Sequence, residues 1–162
     1  MPFSSPEQNI KYLSLEKGMH VGDLGAGSGF YTLAVAKEMA GSGKVYAIDI
    51  QKDLLDRLKN EARKQGLLNV EVIWGDIETV GGSKLKDSSL DAVIASNILF
   101  QISQKEHFAK ESARLLKSGG KLLLIDWTDS SGGLGPHTQD IISASEAQEL
   151  FEKAGLVVEK PI

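Results

Sequence analysis

The residues best suited to bind a ligand lie in one short stretch, HVGDLGAGSGFYT at positions 20–32. Asp23 follows an apolar run, and Gly25, Gly27 and Gly29 alternate before a segment with the composition of a helix. Alternate glycines permit backbone dihedrals that other residues avoid, and they let a ligand lie directly against the peptide. In an open α/β sheet, a turn after the first strand lies at the carboxyl edge, where ligands bind. The stretch therefore predicts a ligand-binding glycine loop.

Two further carboxylates follow later apolar runs. Asp49 ends the run VYAID, and Asp76 follows the next run in Trp74-Gly75-Asp76-Ile77. At the end of a second strand, beside the glycine loop, a carboxylate can accept both hydroxyls of a ribose. Structural roles are the alternative: Asp49 would cap a helix that begins near Lys52, and Asp76 would be an ordinary turn residue.

The spacing of the glycines distinguishes two classes of nucleotide ligand. A dinucleotide fingerprint, G-x-G-x-x-G, that starts at Gly25 needs a small residue at position 30, where the chain has Phe30. The pattern D-x-G-x-G-x-G is matched in full from Asp23 to Gly29. A nicotinamide dinucleotide is therefore disfavoured, although Asp49 suits the ribose of either ligand.

Short apolar runs alternate with amphipathic segments along the chain. Strands are predicted at 19–24, 44–50, 70–74, 90–96 and 121–126, and helices at 5–13, 30–40, 52–65, 104–117 and 143–154. Several runs are continuously apolar, as in strands that are buried on both faces. The alternation implies right-handed crossovers and a parallel sheet with helices on both faces. Residues 76–89 are predicted as a loop, and 156–158 as the start of a sixth strand.

Local signals mark several helix ends. Three pairs have capping-box spacing: Ser5 with Gln8, Ser103 with Glu106, and Ser143 with Glu146. Pro6 is suited to a first helical position. Gly119 and Gly120 predict a helix terminus with left-handed dihedrals.

In this order, these features resemble the class I S-adenosylmethionine-dependent methyltransferases. The resemblance extends from about Gly18 to Gly155 and includes the Ser96-Asn97 exit of strand four and the turn KSGG, in which Ser118 replaces the proline of many relatives. It implies an α/β fold: a doubly wound, mostly parallel Rossmann-like sheet of order 3-2-1-4-5 plus a sixth strand. It also implies S-adenosylmethionine as cofactor, S-adenosylhomocysteine as product, and a single methyltransferase domain over residues 1–162.

The resemblance further implies roles for individual residues. Asp23 and the loop amides face the amino-acid end of the cofactor, and Asp49 accepts the ribose hydroxyls. Asp76 accepts a hydrogen bond from the adenine amino group, and Ile50 and Ile77 cover the two faces of the ring. The predicted cofactor-binding residues are Asp23, Gly25, Ala26, Gly27, Ser28, Gly29, Asp49, Ile50, Gly75, Asp76, Ile77 and Asn97.

Methyl transfer from a sulfonium is an in-line displacement that a protein promotes largely by alignment and desolvation. A general base is needed only when the acceptor must lose a proton. The candidates on loops at the carboxyl edge are His137, Asn97, Tyr31 and Asp126. His137 is the most basic of them near neutral pH, although a lone loop histidine is more often simply exposed to solvent. The spacing of the three histidines does not match a metal site, so no metal is predicted.

Composition argues against several other classes of function. The chain has 162 residues, a formal net charge of −4 and no cysteine, so it offers no disulfide, thiolate nucleophile or cysteine-based zinc site. Its longest aliphatic run, Leu122–Ile125, is too short to cross a bilayer, and its first residues lack the pattern of a secretory signal. Mild acidity argues against broad binding to nucleic acid. We expect a soluble cytoplasmic domain.

Departures from the family pattern bear on the substrate. Asn97-Ile98-Leu99-Phe100 lacks the prolines typical of enzymes that methylate base amines in nucleic acid. No substrate domain is inserted, and only residues 1–17 could form a partial lid. We therefore expect a small-molecule acceptor. The alternatives are an RNA or protein acceptor, a non-catalytic cofactor-binding module and, least favoured, an NAD(P)-dependent oxidoreductase.

This fold usually ends with an antiparallel seventh strand, for which the sequence after residue 158 leaves no room. Truncation of the C-terminus is the favoured explanation. Alternatively, a second copy supplies the strand in a homodimer, or strand five remains an exposed edge.

Overall fold

The computed structural model describes residues 5–126 and 142–159. The strands are β1 (His20–Leu24), β2 (Lys44–Asp49), β3 (Val70–Trp74), β4 (Leu90–Ser96) and β5 (Leu116–Ile125). The helices are α1 (Pro6–Asn9), α2 (Phe30–Glu38), α3 (Lys52–Lys64), α4 (Lys105–Leu115) and α5 (Ala144–Lys153), with 3-10 turns at Ile10–Leu13 and Leu99–Gln101.

The five strands form one parallel sheet in the order β3-β2-β1-β4-β5, which confirms the predicted order. The register aligns the strand ends, because Leu24 lies beside Ile48 and Asp49 lies beside Trp74. The glycine loop, the turn after β2 and the turn after β3 therefore leave the sheet at one edge, as expected for parallel strands.

Alternate residues of the central strands are buried on opposite faces of the sheet. On one face, Leu24 and Val93 belong to an apolar cluster with Phe108 of α4 and Phe151 of α5. On the other face, Val21 and Ile94 pack with α2 and with the N-terminal segment. A smaller cluster joins β2 to α3. Burial on both faces explains the continuously apolar strands, and it confirms helices on both sides of the sheet.

The junction between α4 and β5 differs from the prediction. The helix ends at Leu115, and Leu116 already has extended dihedrals and pairs with Leu90. Gly119, with φ +81°, lies inside β5 where the register with β4 shifts, so the predicted helix terminus at Gly119-Gly120 is wrong. β5 already pairs with β4 at Leu116, before the predicted strand at 121–126, and the shift in register accommodates the extra residues.

Of the three predicted capping boxes, only the one at Ser143 forms its side-chain cap, and there the Glu146 carboxylate accepts from the Ser143 hydroxyl rather than from the Ser143 amide. Ser143 caps α5 by accepting a hydrogen bond from the Glu146 amide at 3.1 Å. Ser5 is the N-cap of α1, but its hydroxyl donates to the Glu7 carboxylate instead. At α4 the N-cap is Gln104 rather than Ser103, and no side chain of the helix caps it.

The segment after α5 does not pair with the sheet. Residues 156–159 lie outside any strand, and Val157 is 89% exposed, so the predicted sixth strand is not confirmed. The segment passes near β5, since Glu159 Oε1 lies 3.7 Å from Lys121 Nζ.

The N-terminal segment packs against the sheet through Ile10 and Leu13, which are buried in the same cluster as α2. Its role as a partial lid remains a prediction. Within residues 5–126 and 142–159, no helix has the length and apolarity needed to cross a membrane.

Candidate functional site

The three alternate glycines of the loop all have positive φ, at +75° for Gly25, +55° for Gly27 and +81° for Gly29. Their surroundings differ. A Cβ on Gly25 would lie 2.6 Å from Cδ1 of Ile98, whereas a Cβ on Gly27 would meet nothing within 4 Å. A Cβ on Gly29 would collide with the side chain of Leu58 on α3. Left-handed backbone therefore requires glycine throughout, and close packing adds a second reason at Gly25 and Gly29.

The loop is attached to β2 by its own backbone. The amides of Gly25 and Ala26 both donate to the Ile48 carbonyl, at 2.8 and 3.1 Å. Asp49 extends this connection: Oδ2 accepts from the Gly27 amide at 2.9 Å and Oδ1 from the Gln51 amide at 2.8 Å. Each carboxylate oxygen has two lone pairs, so Asp49 keeps acceptor capacity for a ligand.

Asp23 is buried beneath the loop, with 1% of its surface exposed. Its Oδ2 accepts from the Thr32 hydroxyl at 2.7 Å, whereas Oδ1 has no hydrogen-bond partner among the described residues. Burial raises the pKa of Asp23 to about 6, against the opposing effect of its hydrogen bonds to Thr32. A buried acceptor without a donor is unfavourable, so this position suits a cationic or hydrogen-bonding ligand group.

Asp76 begins a turn after β3. Its Oδ1 accepts from the Glu78 amide and Oδ2 from the Thr79 hydroxyl, both at 2.9 Å. Asp76 thus has the turn role considered as its alternative. Like Asp49, it keeps unused lone pairs on both oxygens.

Ile50 is unusual because a large apolar side chain after β2 is 65% exposed. Its carbonyl accepts a hydrogen bond from Trp74 Nε1 at 2.9 Å, and Lys52 Nζ lies 5.7 Å from the centre of the Trp74 ring. These contacts connect the end of β3 to the turn after β2. They fix the backbone that presents Ile50 at the edge of the sheet.

A cleft of about 130 Å³ opens at this edge. It is lined by Gly25, Asp49, Ile50, Gln51, Asp76, Ile77, Glu78, Ile98, Gln101 and Ile102. Five of the predicted cofactor-binding residues thus share one depression: the first loop glycine, two carboxylates and two isoleucines. Sequence reasoning missed Gln51, Glu78, Ile98 and Ile102. The i, i+4 spacing of Ile98 and Ile102 could have predicted that both side chains face the same side and form an apolar wall of the cleft.

The other predicted cofactor-binding residues lie outside this lining. Ser28 lies in a separate depression with Arg57 and Glu61 of α3, and Ala26 packs against the cluster between β2 and α3. Gly75 faces the Gly82 carbonyl. Asn97 is exposed with φ +53°, next to Ile98 of the cleft.

Two of the predicted catalytic candidates, Tyr31 and Asp126, have structural partners. Tyr31 is buried and its hydroxyl accepts from Asn9 Nδ2 at 2.9 Å; burial raises its pKa. Asp126 Oδ2 accepts from the amides of Ile98 and Leu99 and so caps the turn beside the cleft. His137 lies outside the described residues. Within those residues, no three His, Asp or Glu side chains are grouped as metal ligands would be.

Comparisons with known proteins identify the family. Residues 15–156 match the family model described as a methyltransferase domain. The crystal structure of a SAM-dependent methyltransferase from Aquifex aeolicus is 32% identical, with a TM-score of 0.85 over 96% of this chain and 81% of that one. The chain belongs to the class I S-adenosylmethionine-dependent methyltransferase family.

Two curated methyltransferases show how far the similarity extends. An arsenite methyltransferase from Aquipseudomonas alcaligenes is 32% identical over 75% of this chain and 38% of its own length. A demethylmenaquinone methyltransferase from Geobacillus sp. is 27% identical over 74% of this chain and 50% of its own length. The chain therefore spans half or less of the length of these two relatives.

The cleft fits the family's cofactor by its own geometry. Asp49 can accept hydrogen bonds from the ribose hydroxyls, whereas Asp23 lies buried beneath the loop and outside the cleft lining. Ile50 and Ile77 provide apolar surface for an adenine ring. A side chain at Gly25 would collide with Ile98 and crowd Ile77, two walls of the cleft, so glycine lets these walls pack against the loop. Apolar walls with a few placed polar groups are typical of nucleoside pockets.

Proposed function

We propose that this methyltransferase transfers the methyl group of S-adenosylmethionine to a small organic acceptor. The shared cleft of Gly25, Asp49 and Asp76 at the carboxyl edge of the sheet supports this most directly. When bound, the cofactor supplies an electrophilic methyl group together with its own leaving group. The protein then has to align the acceptor with the methyl carbon and exclude water.

Each polar group of the site has one role in this proposal. Asp49 accepts the ribose hydroxyls while its bonds to Gly27 and Gln51 hold it in place. Asp23 receives the ammonium at the amino-acid end, and Asp76 accepts from the adenine amino group. Ile50 and Ile77 cover the ring. An acceptor that must lose a proton also needs a base, for which His137, Asn97, Tyr31 and Asp126 are the candidates.

The chemistry of the chain favours an organic acceptor among the substrates of its relatives. Arsenic(III) is thiophilic and binds best to soft thiolate ligands, whereas the 162-residue sequence contains no cysteine. A demethylated quinone, the class of substrate named for the Geobacillus relative, needs no protein thiolate. The residues of this chain therefore suit methylation of an organic acceptor better than methylation of arsenic(III).

Calorimetry with S-adenosylhomocysteine tests the cofactor assignment. We expect binding in the micromolar range by the wild type, and binding at least about tenfold weaker by Asp49→Asn, because hydrogen bonds to a charged acceptor contribute about 1.5–3 kcal/mol. Asp53→Asn is the matched control, since Asp53 is an exposed carboxylate in the first turn of α3. Equal affinity of the wild type and Asp49→Asn would remove the ribose role, and tighter binding of NADH would overturn the cofactor.

Release of S-adenosylhomocysteine from S-adenosylmethionine, measured with a demethylated quinone and with arsenite, tests the acceptor. Turnover with the quinone alone supports the proposal. Turnover with arsenite alone would overturn the organic acceptor, and binding without turnover on any small molecule would favour a non-catalytic module.

A further inference from the structure

The segment that carries Asp76 and Ile77 has no regular structure of its own. Residues 75–89 form neither helix nor strand, yet Asp76, Ile77 and Glu78 make part of the cleft wall. Turn hydrogen bonds within the segment shape it locally, and contacts from outside hold it in place. Two glutamate carboxylates make these contacts. Glu111 on α4 binds the segment, and Glu78 in the segment binds the backbone just before α4.

The first attachment is formed by Glu111 of α4, whose side chain is fully buried. Its carboxylate accepts from the Gly81 amide at 2.9 Å, the Ser83 amide at 3.2 Å and the Ser83 hydroxyl at 2.6 Å. Arg114, one turn further along α4, donates to both oxygens of Glu111, and its Nη1 donates to Asp87 at 2.6 Å. Burial alone would raise the pKa of Glu111, but the hydrogen bonds from Arg114, Gly81 and Ser83 lower it to about 2.

This attachment is transmitted to the cleft through a single residue. Gly82 lies between the two residues that Glu111 holds, and its carbonyl accepts from the Asp76 amide at 3.2 Å. A Cβ on Gly82 would collide with the Asp76 carbonyl, and a Cβ on Gly75 would lie 2.5 Å from the Gly82 carbonyl. The backbone around Gly82 is thus packed directly against the backbone of Asp76.

The second attachment lies at the other end of α4. Glu78, itself part of the cleft lining, accepts from the amides of Ser103 and Gln104 through Oε1, at 2.7 and 2.9 Å. These amides immediately precede α4. The segment is therefore held at both ends of one helix, and displacement of either contact would move the Asp76 wall.

We infer that Glu111 is a positioning residue for the adenine end of the cofactor, acting through Gly81–Ser83 on Asp76. This inference rests on the proposed function. Gln at position 111 would place an amide N–H₂ beside the Gly81 and Ser83 amides and Arg114, which can only donate, so of these partners only the Ser83 hydroxyl could accept from it. Gln therefore cannot hold the segment as the carboxylate does. Asp76 would then lose the placement that lets it accept from the adenine amino group.

The test compares S-adenosylhomocysteine with S-inosylhomocysteine, in which a carbonyl oxygen replaces the adenine amino group. We expect the wild type to prefer the adenine compound by about tenfold or more. Glu111→Gln should reduce this preference to about threefold or less and weaken S-adenosylhomocysteine binding by about tenfold. Ser83→Ala, which removes one donor to Glu111, should change the preference in the same direction by less. Glu106→Gln, an exposed change on the same helix, should leave both affinities unchanged.

The ratio of the two affinities distinguishes a positioning role from a general loss of order in the segment, because the latter would weaken the binding of both ligands equally. Equal weakening, or an unchanged ratio in both Glu111→Gln and Ser83→Ala, would overturn the positioning role while leaving the proposed function intact. A wild type that binds both ligands alike would also overturn it. A wild type that binds neither ligand would overturn the proposed function, and this inference with it.

Discussion

Asp23 and Asp49 end neighbouring strands but differ in their electrostatic surroundings. Asp49 accepts from two backbone amides, whereas among the described residues Asp23 accepts only from Thr32 and keeps one buried oxygen without a donor. Because burial raises the pKa of Asp23 to about 6, the charged form is disfavoured in the free protein. Asp23 therefore lowers the stability of the free protein at neutral pH, and a bound cation would offset this effect.

The free energy of unfolding should record this effect. The folded state keeps the Asp23 proton up to about pH 6, whereas the unfolded state loses it near 3.8. The folded state thus binds more protons in this window, so the Asp23 contribution should fall by about 2 kcal/mol as pH rises from 4 to 6. Urea unfolding of the wild type and of Asp23→Asn across this range measures it.

Other carboxylates also titrate, and Glu111 acts in the opposite direction because its pKa is lowered to about 2. The informative quantity is the difference between the wild type and Asp23→Asn at each pH. Parallel pH profiles for the two proteins would show that Asp23 carries no raised pKa.

Residue order was sufficient to predict that Asp49 and Asp76 reach one cleft, because parallel strands bring their ends to one edge, but it did not predict Glu78. Asp49, Asp76, Ile50 and Ile77 share this edge for that reason. The direction in which each loop residue faces did not follow from spacing. Ser28 lies instead in a depression beside α3. The dihedrals of the loop decide which side each residue faces, and the sequence pattern does not determine them.

At the scale of elements, α4 connects the core to the site. Phe108 and Leu115 on its apolar face are fully buried in the core, while Glu111 faces the segment after β3. The capping box predicted at Ser103 failed because Glu78, remote in sequence, accepts from the same region of backbone. Local rules predict caps well only where no distant side chain competes, as at Ser143 of α5.

Ser143→Ala should lower the stability of the protein by about 1 kcal/mol, because the Glu146 amide loses its acceptor at the start of α5. Thermal unfolding followed by circular dichroism measures the change. Ser145→Ala, two residues further along and exposed, is the matched control and should not lower the melting temperature. Equal behaviour of the two variants would show that the cap contributes nothing.

The parallel sheet with helices on both faces followed from alternating apolar and amphipathic segments, because such crossovers are right-handed. The order of the five strands was predicted only from the resemblance to the methyltransferase family. The extent of β5 did not follow. Leu115 and Leu116 read equally well as the end of a helix, and only pairing with Leu90 assigns Leu116 to the sheet. The Glu111 attachment was likewise invisible in the sequence, since its partners lie about thirty residues away.

If the cleft binds the cofactor in the folded state alone, ligand should stabilise the whole molecule. S-adenosylhomocysteine at a hundred times its dissociation constant should add about 2.7 kcal/mol, which raises the melting temperature by roughly 5–10 °C for a protein of this size. Differential scanning fluorimetry measures this shift. NADH at the same concentration should cause none, and a smaller shift for Asp49→Asn is expected at equal ligand. An unchanged melting temperature at saturation would contradict binding to the native cleft.

The hydrogen bond between Trp74 and the Ile50 carbonyl gives the protein an intrinsic optical reporter. The indole is 57% exposed at the end of β3, with Lys52 beside its ring, and Ile50 is part of the cleft wall. A nucleoside that stacks on Ile50 changes the polarity next to the indole, so its fluorescence emission should shift or be quenched on titration. The sequence contains two tryptophans, so Trp127→Phe leaves a single emitter, and cofactor occupancy becomes readable in solution without any added dye.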